Sequence, residues 1–168
     1  MNNSQNQILT ENKVKNILKR MAFEIVENNY TESHLFLIGI KGQGVVMAQM
    51  LQDQLQSIRD ELKITTITLS VDKTDPVHSE ISLNKPLDDI KEGNLIIVDD
   101  VMNTGRTQAY AMSYLMQVTP RSVQTAVLVN RSHTSFPVSV TYSGIALSTT
   151  LDDHIEVRLE QDIGAYLS

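Results

Sequence analysis

Residues 95–107 read LIIVDDVMNTGRT, and they place two kinds of chemistry on either side of a short turn. Asp99 and Asp100 follow an apolar run, so two adjacent carboxylates stand at the rim of a buried strand. There they are desolvated and repel each other unless a metal, a cation or hydroxyl groups donate to them. The residues that follow, Asn103, Thr104, Gly105, Arg106 and Thr107, supply the opposite chemistry. Backbone N–H groups at a helix start, two hydroxyls and the positive end of the helix dipole favour a phosphate. Gly105 permits close approach of the backbone. Acids that accept from hydroxyls and a cradle for phosphate, a few residues apart, suit the two ends of a ribose 5-phosphate. The plainer reading is a capped strand-turn-helix with solvated acids; the occurrence of both halves in this order favours the first.

A second glycine turn, GIKGQG over residues 39–44, fits neither of two familiar nucleotide motifs. No Lys-Ser/Thr pair follows its last glycine, as a Walker A loop requires, and its glycine spacing is not that of a dinucleotide fingerprint. What remains is a tight turn of Lys41, Gly42, Gln43 and Gly44 leading into a helix. It presents N–H groups and one lysine to an anion, or it is an ordinary βα turn.

The elements that must position these turns are legible from periodicity. Val14, Ile17, Leu18, Met21, Ala22, Ile25 and Val26 form the apolar stripe of an amphipathic helix, with Thr10 as N-cap and an end near residues 28–29. LFLIGI (35–40) reads as a strand buried on both faces, and Met47, Met50, Leu51, Leu55 and Ile58 mark a second helix. ITTITL (64–69) is a strand by its β-branched content. A helix carrying Ala111, Leu115 and Val118 follows the Thr-Gly turn, and VQTAVLV (123–129) is a further strand. VSVTY and IEVRLE alternate apolar and polar, as half-exposed strands do. Residues 70–92 are polar, contain Pro76 and Pro86 and hold no apolar period, so they read as a long mobile loop. Residues 1–9 read as a tail without fixed structure. Strands alternating with helices imply an α/β fold: a parallel twisted sheet flanked by helices, forming one domain over residues 1–168, with ligands at the carboxyl ends of the strands.

Composition narrows the chemistry. With 168 residues and 41% hydrophobic content the chain can bury a core without a disulfide. It has no cysteine and four scattered histidines, which removes thiolate zinc sites and cysteine nucleophiles. The net charge of −6 opposes non-specific binding to nucleic acid and acidic membranes. Apolar runs fall far short of the ~20 residues a bilayer requires, and the expected location is cytoplasmic.

The segment LIIVDDVMNTGRT resembles the phosphoribosyl pyrophosphate (PRPP) motif of type I phosphoribosyltransferases. GIKGQGVVMAQML and AVLVNRSHTSFPVSVTYSGIALSTT resemble the pyrimidine operon attenuation regulators, which are also uracil phosphoribosyltransferases. The likeness covers nearly the whole chain, and it implies a small C-terminal hood. It implies that Asp99 and Asp100 hold the ribose hydroxyls, that residues 103–107 bind the 5-phosphate, and that Lys41, Gly42, Gln43 and Gly44 form the pyrophosphate loop. Residues 70–86 would close over PRPP, whose magnesium travels mainly with the substrate rather than in a protein cage. The implied partners are PRPP and a nucleobase, uracil first, with a homodimer or higher homo-oligomer as the assembly.

Four features depart from the family pattern. Gln43 stands where an arginine is usual, and Ser70 and Val71 stand where an aromatic residue and an arginine are usual, which leaves Lys73 as the substitute catalytic cation. Residues 70–92 are also shorter than the usual mobile loop. After Lys91 the chain has no lysine and only Arg106, Arg121, Arg131 and Arg158, poor provision for binding an RNA loop. Two functions follow: a uracil-type transferase that releases pyrophosphate, or a PRPP- or nucleotide-sensing regulator of the attenuator type with weak or no turnover.

Overall fold

The computed structural model describes residues 6–150 and 152–168, and its centre is a sheet built from the most apolar runs of the chain. Strand β2 (His34–Ile40) sends Leu35 and Leu37 to one face and Phe36, Ile38 and Ile40 to the other, all buried. Strand β5 (Asn94–Met102) does the same with Ile96 and Val98 against Leu95 and Ile97. Burial on both faces explains why these strands lack polar alternation. Around them lie β3 (Lys63–Ser70), the two-residue β4 (Ser82–Leu83), β6 (Ser122–Asn130) and β7 (Tyr142–Ala146), in the order β4-β3-β2-β5-β6-β7. All neighbours are parallel except β4, which returns antiparallel to β3.

Helices α1 (Glu11–Asn28) and α2 (Gln43–Ile58) bury their apolar stripes on one face of the sheet, whereas α3 (Arg106–Leu115) and a 3₁₀ turn at Leu87–Ile90 cover the other. Thr10 caps α1 as its sequence implies, its hydroxyl accepting from the Lys13 N–H. The chain leaves β2 through α2 toward β3, and leaves β5 through α3 toward β6. Adjacent strands whose connections diverge to opposite sides open a crevice at their carboxyl ends. That crevice lies between residues 41–44 and 99–107.

Three short strands form a second sheet in the order β1-β9-β8: β1 (Asn6–Leu9), β8 (Ile155–Arg158) and β9 (Gly164–Leu167). This is the hood, and it corrects two expectations. The part of the 1–9 tail that is described, Asn6–Leu9, is an edge strand paired antiparallel with β9, because Leu9 is buried in the main core and the backbone on its flank finds partners. The rest of the tail lies outside the described residues. VSVTY is not a strand: β7 begins only at its last residue, Tyr142, while the Ser139 carbonyl is taken by the Thr125 hydroxyl. Helix α3 stops at Leu115, before Val118, which packs against the α3-side core from the following turn.

Tyr142 joins the sheet to α1. Its hydroxyl donates to Gln124 Oε1 (3.1 Å) and accepts from Asn29 Nδ2 (3.1 Å), and the same Asn29 group also meets the Ile25 carbonyl at 2.8 Å. A Tyr142→Phe variant removes the hub, while Asn29 Nδ2 keeps the Ile25 carbonyl and its direct bond to Gln124 Oε1 at 3.2 Å. It is expected to lose about 1 kcal/mol, seen as a lower urea midpoint at unchanged slope.

Candidate functional site

The strand-helix turn after β5 is built as its residue types require. Gly105 precedes α3 with φ +81°, a left-handed conformation in which a side chain would also meet Phe136. No side chain caps the helix, although Thr104 Oγ1 accepts from the Arg106 N–H at 3.3 Å. First-turn N–H groups are therefore available for oxygens of a ligand. The turn is held from behind: the Thr104 carbonyl accepts from the N–H groups of Ser135 (2.9 Å) and Phe136 (3.1 Å).

A pocket of about 360 Å³ opens over this turn, lined by Lys73, Asp99, Asp100, Val101, Asn103, Thr104, Gly105, Arg106, Thr107, Gln108 and Ile155. The acids, the turn residues and Lys73 are thus brought together, with Ile155 of the hood as a side wall. Lys41, Gly42, Gln43 and Gly44 do not line it. They sit beside it: a Cβ on Gly44 would come within 2.7 Å of the Val98 carbonyl and 3.3 Å of the Asp99 Cα, so this turn is pressed against the strand that carries the acids. Gly42 supplies the positive φ (+106°) that the turn needs, and the Lys41 N–H is already used by the Leu69 carbonyl. Gln43 faces the hood, where its Oε1 accepts from the Leu159 N–H at 2.9 Å.

Asp99 is 1% exposed, whereas Asp100 is half-buried at the pocket edge. Three donors reach Asp99: Lys73 Nζ at 3.0 and 3.2 Å, Gln108 Nε2 at 3.2 Å and the Asp100 N–H at 3.0 Å. Lys73 also lies 3.9 Å from Asp100. It is delivered by a tight turn in which Asp72 Oδ1 accepts from the Thr74 N–H and hydroxyl, which holds the Asp72 carboxyl below its usual range. Burial pushes Asp99 up from 3.8 to about 7; Lys73 opposes that rise and Asp100 adds to it.

The sign of this shift has a testable result. The folded value lies above the unfolded one, so the native state keeps a proton that the unfolded chain releases. Asp99 therefore costs no stability below its ordinary pKa, and stability falls as pH rises through the window from 3.8 to about 7. An Asp99→Asn variant should show a flatter decline there and be more stable than the parent near pH 8, as read from urea midpoints across the window.

Two residues not singled out from sequence complete the site. Gln108 is the buried amide donor to Asp99. Arg131, noted in the sequence only as a residual positive charge, is 8% exposed and spans the turn and the hood loop. Its guanidinium donates to Asn103 Oδ1 (2.9 Å), Thr149 Oγ1 (3.0 Å) and the carbonyls of Thr150 (3.0 Å) and Asp153 (2.7 Å). His133 supports the same loop through the Thr149 carbonyl at 2.7 Å. No local pattern announces the contacts of Arg131 across 18 or more residues; its only signal is its place directly after a buried strand.

The model of the phosphoribosyl transferase domain family matches residues 4–160. The Bifunctional protein PyrR of Ligilactobacillus salivarius is 32% identical over 166 residues, covering 92% of each chain. That of Bacillus velezensis is 33% identical over 167 residues, covering 95% of this chain and 92% of its own. The chain belongs to the PyrR family of phosphoribosyltransferases. Among solved structures, a hypoxanthine-guanine phosphoribosyltransferase of Bacillus anthracis superposes with a TM-score of 0.71 at 17% identity, over 84% of this chain and 81% of its own. The hypoxanthine phosphoribosyltransferase of Trypanosoma cruzi gives 0.73 at 18%, over the same shares. The type I phosphoribosyltransferase fold, with its parallel sheet and small hood, is thus shared with these PRTases despite low identity. In this family's terms, the domain is built for phosphoribosyl-transfer chemistry with PRPP. Among the described residues no helix is long and apolar enough to cross a membrane.

Proposed function

We propose that this member of the family is a PRPP- and nucleotide-sensing regulator of the pyrimidine attenuator type, whose transfer of phosphoribose to uracil is slow. The observation that carries the reading is the commitment of Lys73. The cations lining the pocket are Lys73 and Arg106, and Lys73 lies on the acidic pair rather than at the turn of residues 41–44. Departing pyrophosphate needs positive charge that is in place before the bond breaks. Beside the exposed Lys41, the further charge must first be released from Asp99, and Gln43 supplies none. The relatives named Bifunctional protein PyrR support the regulatory side.

Binding follows from the pocket. The 5-phosphate takes the N–H groups and hydroxyls of residues 103–107, and the ribose hydroxyls donate to Asp99 and Asp100 in place of Lys73. The diphosphate reaches toward Lys41 and Gly42–Gly44 beside the acids. Among the described residues no three metal-capable side chains gather, which fits magnesium carried by the diphosphate and its own waters, as its coordination favours, rather than by protein carboxylates. Bound in that way, magnesium would neutralise charge developing on the leaving group. Once displaced, Lys73 is free to follow the diphosphate, which is the route to the residual transfer reaction.

The uracil transferase remains the second reading, supported by retention of both acids and the complete turn. The deciding experiment measures magnesium-PRPP affinity by calorimetry and pyrophosphate release with uracil, hypoxanthine, guanine, adenine, orotate or no base. Micromolar binding with slow, uracil-dependent release is expected. Rapid release with uracil would make the enzyme reading the correct one, and failure to bind PRPP would remove both. For RNA, Arg131 is buried and Arg158 pairs with Glu156 at 2.8 Å, which thins the basic surface further. A regulator acting through RNA should show steeply salt-dependent binding to a structured leader; a flat response would point to a protein partner.

A further inference from the structure

We infer that Gln108 is a positioning residue for the acidic pair, holding Asp99 in register while Lys73 gives way to the sugar hydroxyls. The inference rests on the ribose site proposed above and goes beyond it, since that site was assigned to the acids and the turn alone. Its basis is the contrast among the three donors to Asp99. Lys73 is side-chain 45% exposed and comes from a loop. The Asp100 N–H belongs to the same strand as the carboxylate and cannot orient it against the helix. Gln108 is 2% exposed, sits in the first turn of α3 immediately after the phosphate turn, and reaches Asp99 Oδ2 at 3.2 Å.

When Lys73 leaves, Gln108 is the one fixed side-chain donor to Asp99 among the described residues. A buried carboxylate left with one backbone donor and no side-chain donor is pushed toward its protonated form and becomes a poorer acceptor for a diol. The charged groups acting on Asp99 are then Asp100 on its own strand and any displaced Lys73 on the loop, while α2 packs the Gly44 backbone against it. Gln108 also joins the helix that would grip the 5-phosphate to the acid that would grip the ribose. Occupancy at one end thereby fixes geometry at the other.

The test titrates the full chain with magnesium-PRPP between pH 6 and 8.5, for the parent, Gln108→Leu and Gln108→Glu. Gln108→Met is held as the alternative neutral variant if Gln108→Leu does not fold. Losing one hydrogen bond to a charged group should weaken binding about 10- to 100-fold. The pH at which affinity is half-maximal should move upward by roughly one unit. Gln108→Glu, which places a third carboxylate against the pair, should bind worst at high pH. Parent-like affinity and an unmoved pH midpoint in the neutral variant would overturn the inference, whatever its thermal stability. In parallel, the Asp99 carboxyl is titrated by carbon NMR without ligand. An upward shift in Gln108→Leu supports the role even if the parent proves not to bind PRPP, which would sink the ribose site instead; an unchanged Asp99 titration overturns the role itself.

Discussion

Replacing Asp99 and Asp100 together with asparagine is expected to lower magnesium-PRPP affinity by at least about 100-fold while leaving the protein folded. Hydrogen bonds to a charged acceptor contribute about 1.5–3 kcal/mol each, and the double variant weakens two such acceptors. The fold should survive because burial already favours the neutral form of Asp99, raising it to about 7, so at pH 8 a neutral amide of the same shape relieves repulsion rather than creating it. Lys73, half-exposed, loses its partners and turns to solvent. Two measurements separate the effects: calorimetric titration with magnesium-PRPP, and urea unfolding at pH 8. Unchanged affinity would mean that the acids do not hold the ribose. A large loss of stability would mean that the carboxylates organise the strand end itself.

The second large effect is expected at Arg131. Its guanidinium satisfies four acceptors in two places at once: Asn103 in the turn before α3, and Thr149 with the carbonyls of residues 150 and 153 in the loop leading to the hood. Arg131→Met keeps the apolar stem but takes the donor from four acceptors, of which Asn103 and Thr150 are exposed and Thr149 and Asp153 half-buried, so water replaces part of what is lost and the cost is about 1–3 kcal/mol. Arg131→Lys should recover little, because an ammonium cannot reproduce a planar fork. Both variants should also bind inorganic phosphate or PRPP more weakly, since Asn103 loses its anchor. Denaturant midpoints and PRPP titrations of the two variants check this. A lysine variant as stable as the parent would show that charge alone, and not the fork geometry, holds the loop.

How far the sequence foretold these features follows from the range of the interactions involved. α1 was readable to within a residue because seven apolar positions repeat at helical spacing and Thr10 caps them. β2, β3, β5 and β6 were readable because continuous apolar or β-branched runs have few other uses. The acids and the turn lie within nine residues of one another, so their shared pocket was implied by local order alone. β1 and β9 escaped notice because each is four residues long and acquires its regularity from the other. VSVTY misled because alternation also arises where a loop buries Val138 and exposes its neighbours. Gln108 reads as an ordinary helix residue until α3 is laid against β5, and Arg131 as a surface charge until the hood loop wraps it.

The pairing of β1 with β9 sets a timetable for assembly. Gln7 and Tyr166 face each other across the hood sheet although 159 positions separate them. All six strands of the central sheet are present once Ala146 has been synthesised. β1, made first, must wait for β9 before it has a neighbour, and such distant pairing is slow to form. A ribosome-bound chain that already carries both acids and the turn at residues 103–107 therefore still lacks its finished hood. The newborn protein should therefore complete the floor of its pocket before the side wall carrying Ile155 is fixed in place.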